Sequence, residues 1–501
     1  LSKIIISKVD EVFFKLNLDI SQCLELKEHL SVYAPNFQFH PQFRSKQWSG
    51  KISFFDMVTK QLPIGLLPKF VEFCNKFNYE FEFDFDKSTL INDISIETVE
   101  KLTSSIKNKF GSQFGFTDRE YQLDAIHKSL QCKRGVCQMP TGSGKSFVIH
   151  NLIQIFLGME KRILLVVPTT SLVEQMYNDF IEYGWLDINK DVTKLYSGQK
   201  PDFKKSVLIS TWQSIYKKQG KFFEGFDVLL VDETHQMKSS SLLTIAKKSK
   251  NSEYRIGLTG TLPTEPADTY NIHGYLGPVI YKQRTDELIE RGVLSKIKIA
   301  NILLKYPLEM IEKNKRRPYQ EETDTISKFE RRNQAFNHII NNVPDGQNTI
   351  ILCQLIDHIK MIKKHLEDTL DSKYTIYEYH GSIKTEERER IRALMEINSN
   401  MIIVSSYQTM ATGVNIRKLT NIIFGSSYKS KIKILQSIGR GLRKHVTKEK
   451  MILWDLVDDL RWSNRNGTIG KNHVFKHWDE RVKYYDEQGF QYHTGTYKLY
   501  K

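Results

Sequence analysis

Short apolar runs alternate with helical patterns in two successive blocks of this chain, and that rhythm confines it to α/β folds built on parallel sheets. The runs of the first block span residues 162–167, 206–210 and 226–231; those of the second span 349–352, 374–377, 400–404 and 421–424. Each is followed by a polar loop and then a helical pattern. Runs this short and this apolar suit strands covered on both faces, as in parallel sheets. Residues 1–88 follow a different pattern and read as a small α+β unit. There Tyr79, Phe81, Phe83 and Phe85 alternate with Glu80, Glu82, Asp84 and Asp86, which predicts one strand with an aromatic and an acidic face. Helical spacing predicts a helix over 68–78 and another over 473–488. The basic stretch 313–318 reads as a connector between the two α/β blocks.

The first block carries a phosphate loop. Pro140-Thr141-Gly142-Ser143-Gly144-Lys145-Ser146 follows an apolar run and precedes a helical one, the strand–loop–helix setting that this chemistry needs. Consecutive backbone N–H groups and a helix N-terminus point at phosphate oxygens there, and Gly142 and Gly144 allow close approach. Lys145 would bridge the β- and γ-phosphates of ATP, and Ser146 would reach Mg2+. Met139 stands where the loop's first glycine is usual and is expected to crowd it slightly.

Asp232-Glu233-Thr234-His235 directly follows the apolar run ending at Val231. An isolated Asp-Glu pair is ordinarily a solvated loop edge. At the C-terminal tip of a buried strand it sits where open parallel sheets bind ligands. Asp232 would hold magnesium and Glu233 would accept the proton of an attacking water. In the second block, Arg440 and Arg443 are three apart and share a face if their segment is helical. Guanidinium groups suit a phosphate whose charge grows during transfer.

The chain has 501 residues, with 73 Lys plus Arg against 58 Asp plus Glu, for a net charge of +15. That excess favours a polyanionic partner. Near the N-terminus Arg44, Lys46 and Lys51 interleave with Phe43 and Trp48, a mixture suited to a nucleic-acid surface with Trp48 as stacking group. The alternative is a core tryptophan under a hairpin with ordinary surface charge. The five cysteines form no Cys-x-x-Cys pair, so no zinc site is legible and a reduced compartment is expected. No run approaches the ~20 apolar residues of a membrane span, and residues 2–8 are too short an apolar core for a secretory leader.

Taken together and in order, these strings resemble the superfamily 2 helicases and translocases. Arg119-Glu120-Tyr121-Gln122 resembles the adenine-reading motif of that family, the phosphate loop its motif I, and Pro168-Thr169-Thr170 its motif Ia. Ser197-Gly198 and Ser210-Thr211-Trp212-Gln213 resemble motifs Ib and Ic, and Asp232 to His235 a DEAH-like motif II. Leu258-Thr259-Gly260-Thr261 resembles motif III, Thr412-Gly413-Val414-Asn415 motif V, and Gln436 to Arg443 motif VI. Further strings resemble the UvsW-type recombination helicases of T-even phages: Phe43 to Lys51, Leu62 to Leu66, Tyr319 to Glu322, Lys429 to Lys431, Leu442 to His445, and the closing segment 473–490.

The resemblance implies two tandem RecA-like parallel-sheet domains with a small N-terminal α+β domain and a C-terminal helical tail. The expected boundaries are 1–88 for the N-terminal domain, 89–113 for a linker, 114–292 and 293–460 for the RecA-like domains, and 461–501 for a helical extension. It also implies that Arg119 and Gln122 contact the nucleotide base, that Gly413 and Asn415 lie near the nucleotide, and that Gln436 acts with the two arginines. Thr169, Gly198, Thr211 and Thr412 would contact strand phosphates, and Thr259 and Thr261 would couple the two sites. The activity implied is ATP-driven branch migration, fork regression and unwinding of D-loops, R-loops and Holliday junctions. Its partners would be branched DNA, RNA–DNA hybrids and the phage's own single-strand-binding and recombination proteins. It would act as a monomer in the cytoplasm of the infected host. Asn415 replaces an Asp often found in motif V. A restriction-type double-strand translocase and an ATP-gated annealing protein remain alternatives.

Overall fold

The computed structural model describes residues 3–110, 119–196, 198, 201–411, 416–446 and 448–500. By contacts the chain divides into two units. The first comprises Leu1–Met139 with Gly144–Gln283, and the second comprises Pro140–Ser143 with Arg284–Lys501.

The first unit opens with β1 (Ile4–Lys8) and β2 (Phe13–Asn17), followed by β3 (Ser31–Tyr33), β4 (Lys51–Ser53), β5 (Gln61–Pro63) and β6 (Phe81–Phe83). Four of these form a sheet in the order β5-β2-β1-β6, while β3 and β4 pair as an antiparallel ribbon. The strand expected over 79–86 is thus only three residues long. Its aromatic alternation still serves the core: Tyr79, Phe81, Phe83 and Phe85 pack against the cluster around Phe14, Phe70 and Phe73. The helix expected over 68–78 is Leu67–Phe77, and the polar stretch after it folds as the helix Ile96–Phe110.

The main sheet of this unit is parallel, with β7 (Arg134–Gln138), β8 (Ile163–Val167), β9 (Val192–Leu195), β10 (Val207–Thr211), β11 (Val228–Asp232), β12 (Tyr254–Thr259) and β13 (Val279–Lys282). Its order is β13-β7-β12-β11-β8-β10-β9. Every residue of β8, β10, β11 and β12 is buried, which is why these runs lack polar alternation. The small N-terminal sheet is fused to this one. Val12 belongs to the core of the large sheet, Arg134 pairs with Glu11 at 3.0 Å, and Phe54 meets Tyr270 with centroids 5.1 Å apart. The join is closest at Gly65, where a Cβ would lie 1.9 Å from the carbonyl oxygen of His273.

The second unit holds another parallel sheet: β14 (Lys296–Lys305), β15 (Asn348–Cys353), β16 (Thr375–Tyr379), β17 (Met401–Ser406), β18 (Leu419–Phe424), β19 (Lys450–Asp459) and β20 (Tyr492–Lys498), in the order β16-β17-β15-β18-β19-β14-β20. Two expectations are corrected here. The basic stretch 313–318 lies inside this unit, ending the helix Leu308–Asn314 and leading into the helix Tyr319–Ser327, because β14 already belongs to the second sheet. The C-terminal segment is also more than a helix, since β20 pairs with β14 along its length.

The helix His473–Glu487 is held by buried charge at its start and again midway along. At its start the carboxylate of Glu322 accepts from the N–H groups of His473 (3.0 Å) and Val474 (2.9 Å) and from Asn472 Nδ2 (3.0 Å), satisfying donors that a helix N-terminus leaves open. Further along, Arg481 makes a two-pronged bond to Asp455 on β19, at 2.9 and 2.7 Å. Arg481 is therefore a docking residue, while Lys483 pairs on the surface with Glu480.

Candidate nucleotide site and nucleic-acid surfaces

The phosphate loop connects β7 to the helix Lys145–Gly158, whose N-cap is Gly144 at φ +85°. Gly142 shares that conformation at φ +85°. Both positions therefore require glycine, since an L side chain is strained there. Within the loop, Ser143 Oγ donates to the Pro140 carbonyl at 2.7 Å. Lys145 Nζ donates to the Met139 carbonyl at 3.2 Å. The Met139 side chain is fully buried, and its N–H donates to the Thr259 carbonyl at 2.8 Å. Substitution of the first glycine therefore adds to the core beneath the loop. The tip Pro140–Ser143, which includes Thr141, is grouped with the second unit.

Gln122 is buried against this loop: a Cβ on Gly144 would fall 2.3 Å from its Nε2. Its Oε1 accepts from the Arg119 N–H at 3.2 Å, and Arg119 itself is exposed, with Nη1 donating to Tyr121 Oη at 3.1 Å. The Ser146 hydroxyl lies 2.8 Å from Tyr183 Oη.

Asp232 ends β11 and is buried. Burial raises its carboxyl to about 7, with the charge of Glu233 adding to the effect and the Lys145 ammonium opposing it. Glu233 has φ +51°, left-handed backbone for a residue with a side chain, a strain characteristic of functional positions. Its carboxylate stands 3.2 Å from His235 Nδ1, and the same nitrogen lies 3.0 Å from Thr259 Oγ1. Thr259 donates onward to the Thr261 carbonyl at 2.9 Å. Polar contacts thus run unbroken from Glu233 through His235 to Thr259 and Thr261. Thr234 fits the narrow space over Gly257 and donates to the Leu258 carbonyl at 2.9 Å, which accounts for a threonine in the third position of the motif.

Ser146 offers a hydroxyl oxygen and Asp232 a buried carboxylate whose charged form is disfavoured without a nearby cation. Hard oxygen donors of this kind suit Mg2+. The residues fit the ion.

Thr169 caps the helix Thr170–Glu182, accepting from the Leu172 N–H at 3.3 Å. Gly198 is exposed at φ +86°. Thr211 is buried, its hydroxyl 2.8 Å from Ser214 Oγ. Thr412, Gly413 and Asn415 lie outside the described residues. In the second unit the helix Lys431–Gly441 carries Gln436 and Arg440 but is capped by Leu442. Arg443 therefore follows the helix, and the expected shared helical face does not form.

Near the N-terminus the structure redistributes the expected roles. Trp48 is half-buried, its Nε1 donating to the Lys51 carbonyl at 2.9 Å and its ring edge-on to His40. The exposed rings are Phe39 (68%) and Tyr33 (54%). Arg44 lies over Phe39 at 5.9 Å and Lys51 over Tyr33 at 5.7 Å. Lys51 also pairs with Glu28, and Lys46 is exposed at φ +59°. Trp48 thus braces the loop, and the rings open to solvent are its neighbours.

The residue order left one further surface unread. At the C-terminal ends of β15, β16 and β17 lies a cavity of about 440 Å³ lined by Gln354, His380, Arg388, Ser406, Tyr428 and Lys433, among others. The signal available was the string His380-Gly381-Ser382, which directly follows the strand begun by the run 374–377.

Comparison with known proteins gives three family profiles in chain order. Residues 4–84 match "DNA helicase UvsW, N-terminal". Residues 115–264 match "Type III restriction enzyme, res subunit", and residues 314–445 match "Helicase conserved C-terminal domain". The chain is 30% identical over 499 residues to the ATP-dependent DNA helicase uvsW of Enterobacteria phage T4, covering 97% of each. The crystal structure of T4 UvsW superposes with a TM-score of 0.51 at 27% identity, covering all of both chains. A DNA 3'-5' translocase XPB2 of Sulfurisphaera tokodaii is 30% identical over 185 residues, covering 37% of this chain and 39% of that protein.

Proposed function

This chain belongs to the UvsW family of ATP-dependent DNA helicases, and from that membership we propose a motor that remodels branched nucleic acids. It is an ATP-hydrolysing helicase of superfamily 2. The finer reading takes in branch migration, fork regression, and the opening of D-loops, R-loops and Holliday junctions. The observation that carries the motor reading is the continuous polar path from Glu233 through His235 to Thr259 and Thr261. It joins the residue placed to activate water to the segment assigned to coupling.

In this reading the loop N–H groups and Lys145 hold the triphosphate, and Gln122 and Arg119 contact its base. Ser146 and Asp232 hold magnesium, which when bound neutralises charge on the phosphate oxygens. Glu233 orients a water and takes its proton as the water oxygen attacks the γ-phosphorus. The bond from that phosphorus to the bridging oxygen breaks, and ADP leaves. Gln436, Arg440 and Arg443 meet the charge of the phosphate in transit, and Gly413 and Asn415 belong to the same nucleotide chemistry. Thr169, Gly198, Thr211 and Thr412 contact strand phosphates, with Arg44, Lys46, Lys51 and the neighbouring rings as a second surface. The cavity beside His380 and Lys433 is a third. Contacts to phosphate position a strand without reading its sequence. The protein therefore binds with little sequence preference and a steep dependence on salt.

A strand-displacement panel tests the substrate class, using forks, Holliday junctions, R-loops and plain duplexes, each with and without ATP. Branched forms are opened with ATP only, and Lys145→Ala abolishes the opening. Equal activity on all four substrates would refute the preference. Among the described residues no helix is long and apolar enough to cross a membrane. Action as a monomer in the infected host's cytoplasm, alongside the phage's single-strand-binding and recombination proteins, completes the proposal.

A further inference from the structure

The tyrosine that meets the phosphate-loop serine was not anticipated by any motif. Tyr183 follows the helix Thr170–Glu182 as its C-terminal cap residue, its N–H donating to the Asp179 carbonyl at 2.9 Å. Its hydroxyl lies 2.8 Å from Ser146 Oγ. One helix end therefore reaches the phosphate-loop serine assigned to magnesium.

The Tyr183 ring is not free to swing. It stands edge-on to Phe147 at 5.1 Å and to His150 at 5.5 Å. His150 in turn is enclosed by Phe110, Phe180 and Trp185 at centroid separations of 5.6, 5.5 and 5.9 Å. In a close-packed interior such a ring moves only if its neighbours repack. A serine hydroxyl has three staggered χ1 wells, and a bond to a fixed phenol selects one of them. The hydroxyl has one proton and two lone pairs. Whichever partner donates, at least one lone pair of Ser146 remains for a cation.

We propose that Tyr183 is a positioning residue of the ATPase reaction: it fixes the Ser146 hydroxyl for magnesium, and so makes magnesium binding depend on how the helix Thr170–Glu182 is seated. This rests on the assignment of Ser146 and Asp232 to magnesium, and the test separates the two claims. Binding of a fluorescent ribose-labelled ADP is followed as magnesium is titrated in, with binding in EDTA as baseline and no turnover required. Tyr183→Phe keeps the ring and removes the hydroxyl. It is expected to raise the magnesium midpoint about two- to tenfold, the range of one lost hydrogen bond, while affinity in EDTA stays within about twofold. Ser146→Ala loses most of the magnesium response. A Tyr183→Phe midpoint equal to the parent's, beside a Ser146→Ala that has lost its response, overturns the role of Tyr183 alone. A Tyr183→Phe whose affinity falls equally in EDTA makes the residue merely structural and also overturns it. A Ser146→Ala with the parent's midpoint overturns the magnesium assignment itself.

Discussion

Replacing Arg481 with methionine should unseat the C-terminal helix, because the residue is one half of a fully buried ion pair. Its side chain is 1% exposed and that of Asp455 is 0%. Arg481 donates to both carboxylate oxygens, at 2.9 and 2.7 Å, and to Ser427 Oγ at 3.1 Å. Tyr485 Oη adds a further bond to Asp455 at 2.8 Å. Methionine fills much of the same volume, so the cavity term is small. The dominant cost is a buried carboxylate left with its countercharge gone, about 3–5 kcal/mol. That is roughly two to four orders of magnitude in the folding equilibrium of the second unit. Asp455→Asn together with Arg481→Met removes both charges and leaves Tyr485 an acceptor. This double variant should recover to within about 2 kcal/mol of the parent. Pulse proteolysis across a urea series, read on fragments from residues 284–501, measures the second unit separately from the first. A single variant within about 1 kcal/mol of the parent would refute the reasoning, as would a double variant less stable than the single.

Three other perturbations follow from the same geometry. Gly65→Ala places a methyl group 1.9 Å from the His273 carbonyl oxygen; overpacking against backbone should cost at least about 1–3 kcal/mol, read as a lower Tm of the first unit, and an unchanged Tm would contradict the fused packing. Glu233→Gln should lower kcat by about 10²–10⁴-fold with nucleotide affinity little changed, measured by phosphate release beside labelled-nucleotide binding; a kcat near the parent's would remove Glu233 as the proton acceptor. Burial pushes His150 from 6.5 down to about 3, with the nearby Lys109 ammonium adding to the shift. Above pH 6.5 the ring is neutral in both states, while between about 6.5 and 3 only the unfolded chain takes up the proton, so the first unit loses about 1.4 kcal/mol per pH unit across that window. His150→Leu should flatten this slope in acid unfolding, and an unchanged slope would show that the ring does not carry it.

The strands buried on both faces were legible because uninterrupted apolar runs leave little else for a chain to do. The edge strand β20 was not, since Tyr492–Lys498 is mostly exposed and polar and is a strand only because β14 pairs with it. The shared face of Arg440 and Arg443 failed because helical spacing was assumed past the point where Leu442 caps the helix. Trp48 was the largest ring in its segment, yet size does not reveal which ring a loop turns outward. Three scattered strings that carried the family likeness turn out to be one device. Glu322 caps the helix His473–Glu487, Lys431 pairs with Glu487 on it, and Tyr319 packs on His477 with centroids 5.1 Å apart. Their separation in the chain hid that they meet. Tyr183 was invisible for the same reason, being a lone tyrosine far in sequence from the serine it touches.

The seam at Gly65 has a mechanical corollary. A small domain on a loose tether would move independently of the sheet beside it. Here the aromatic ribbon of β3 and β4 grows from a body whose core includes Val12 and whose backbone abuts His273 with no room for a methyl group. The ribbon and the large parallel sheet therefore belong to one packed body, in which a shift of the sheet would carry the ribbon with it.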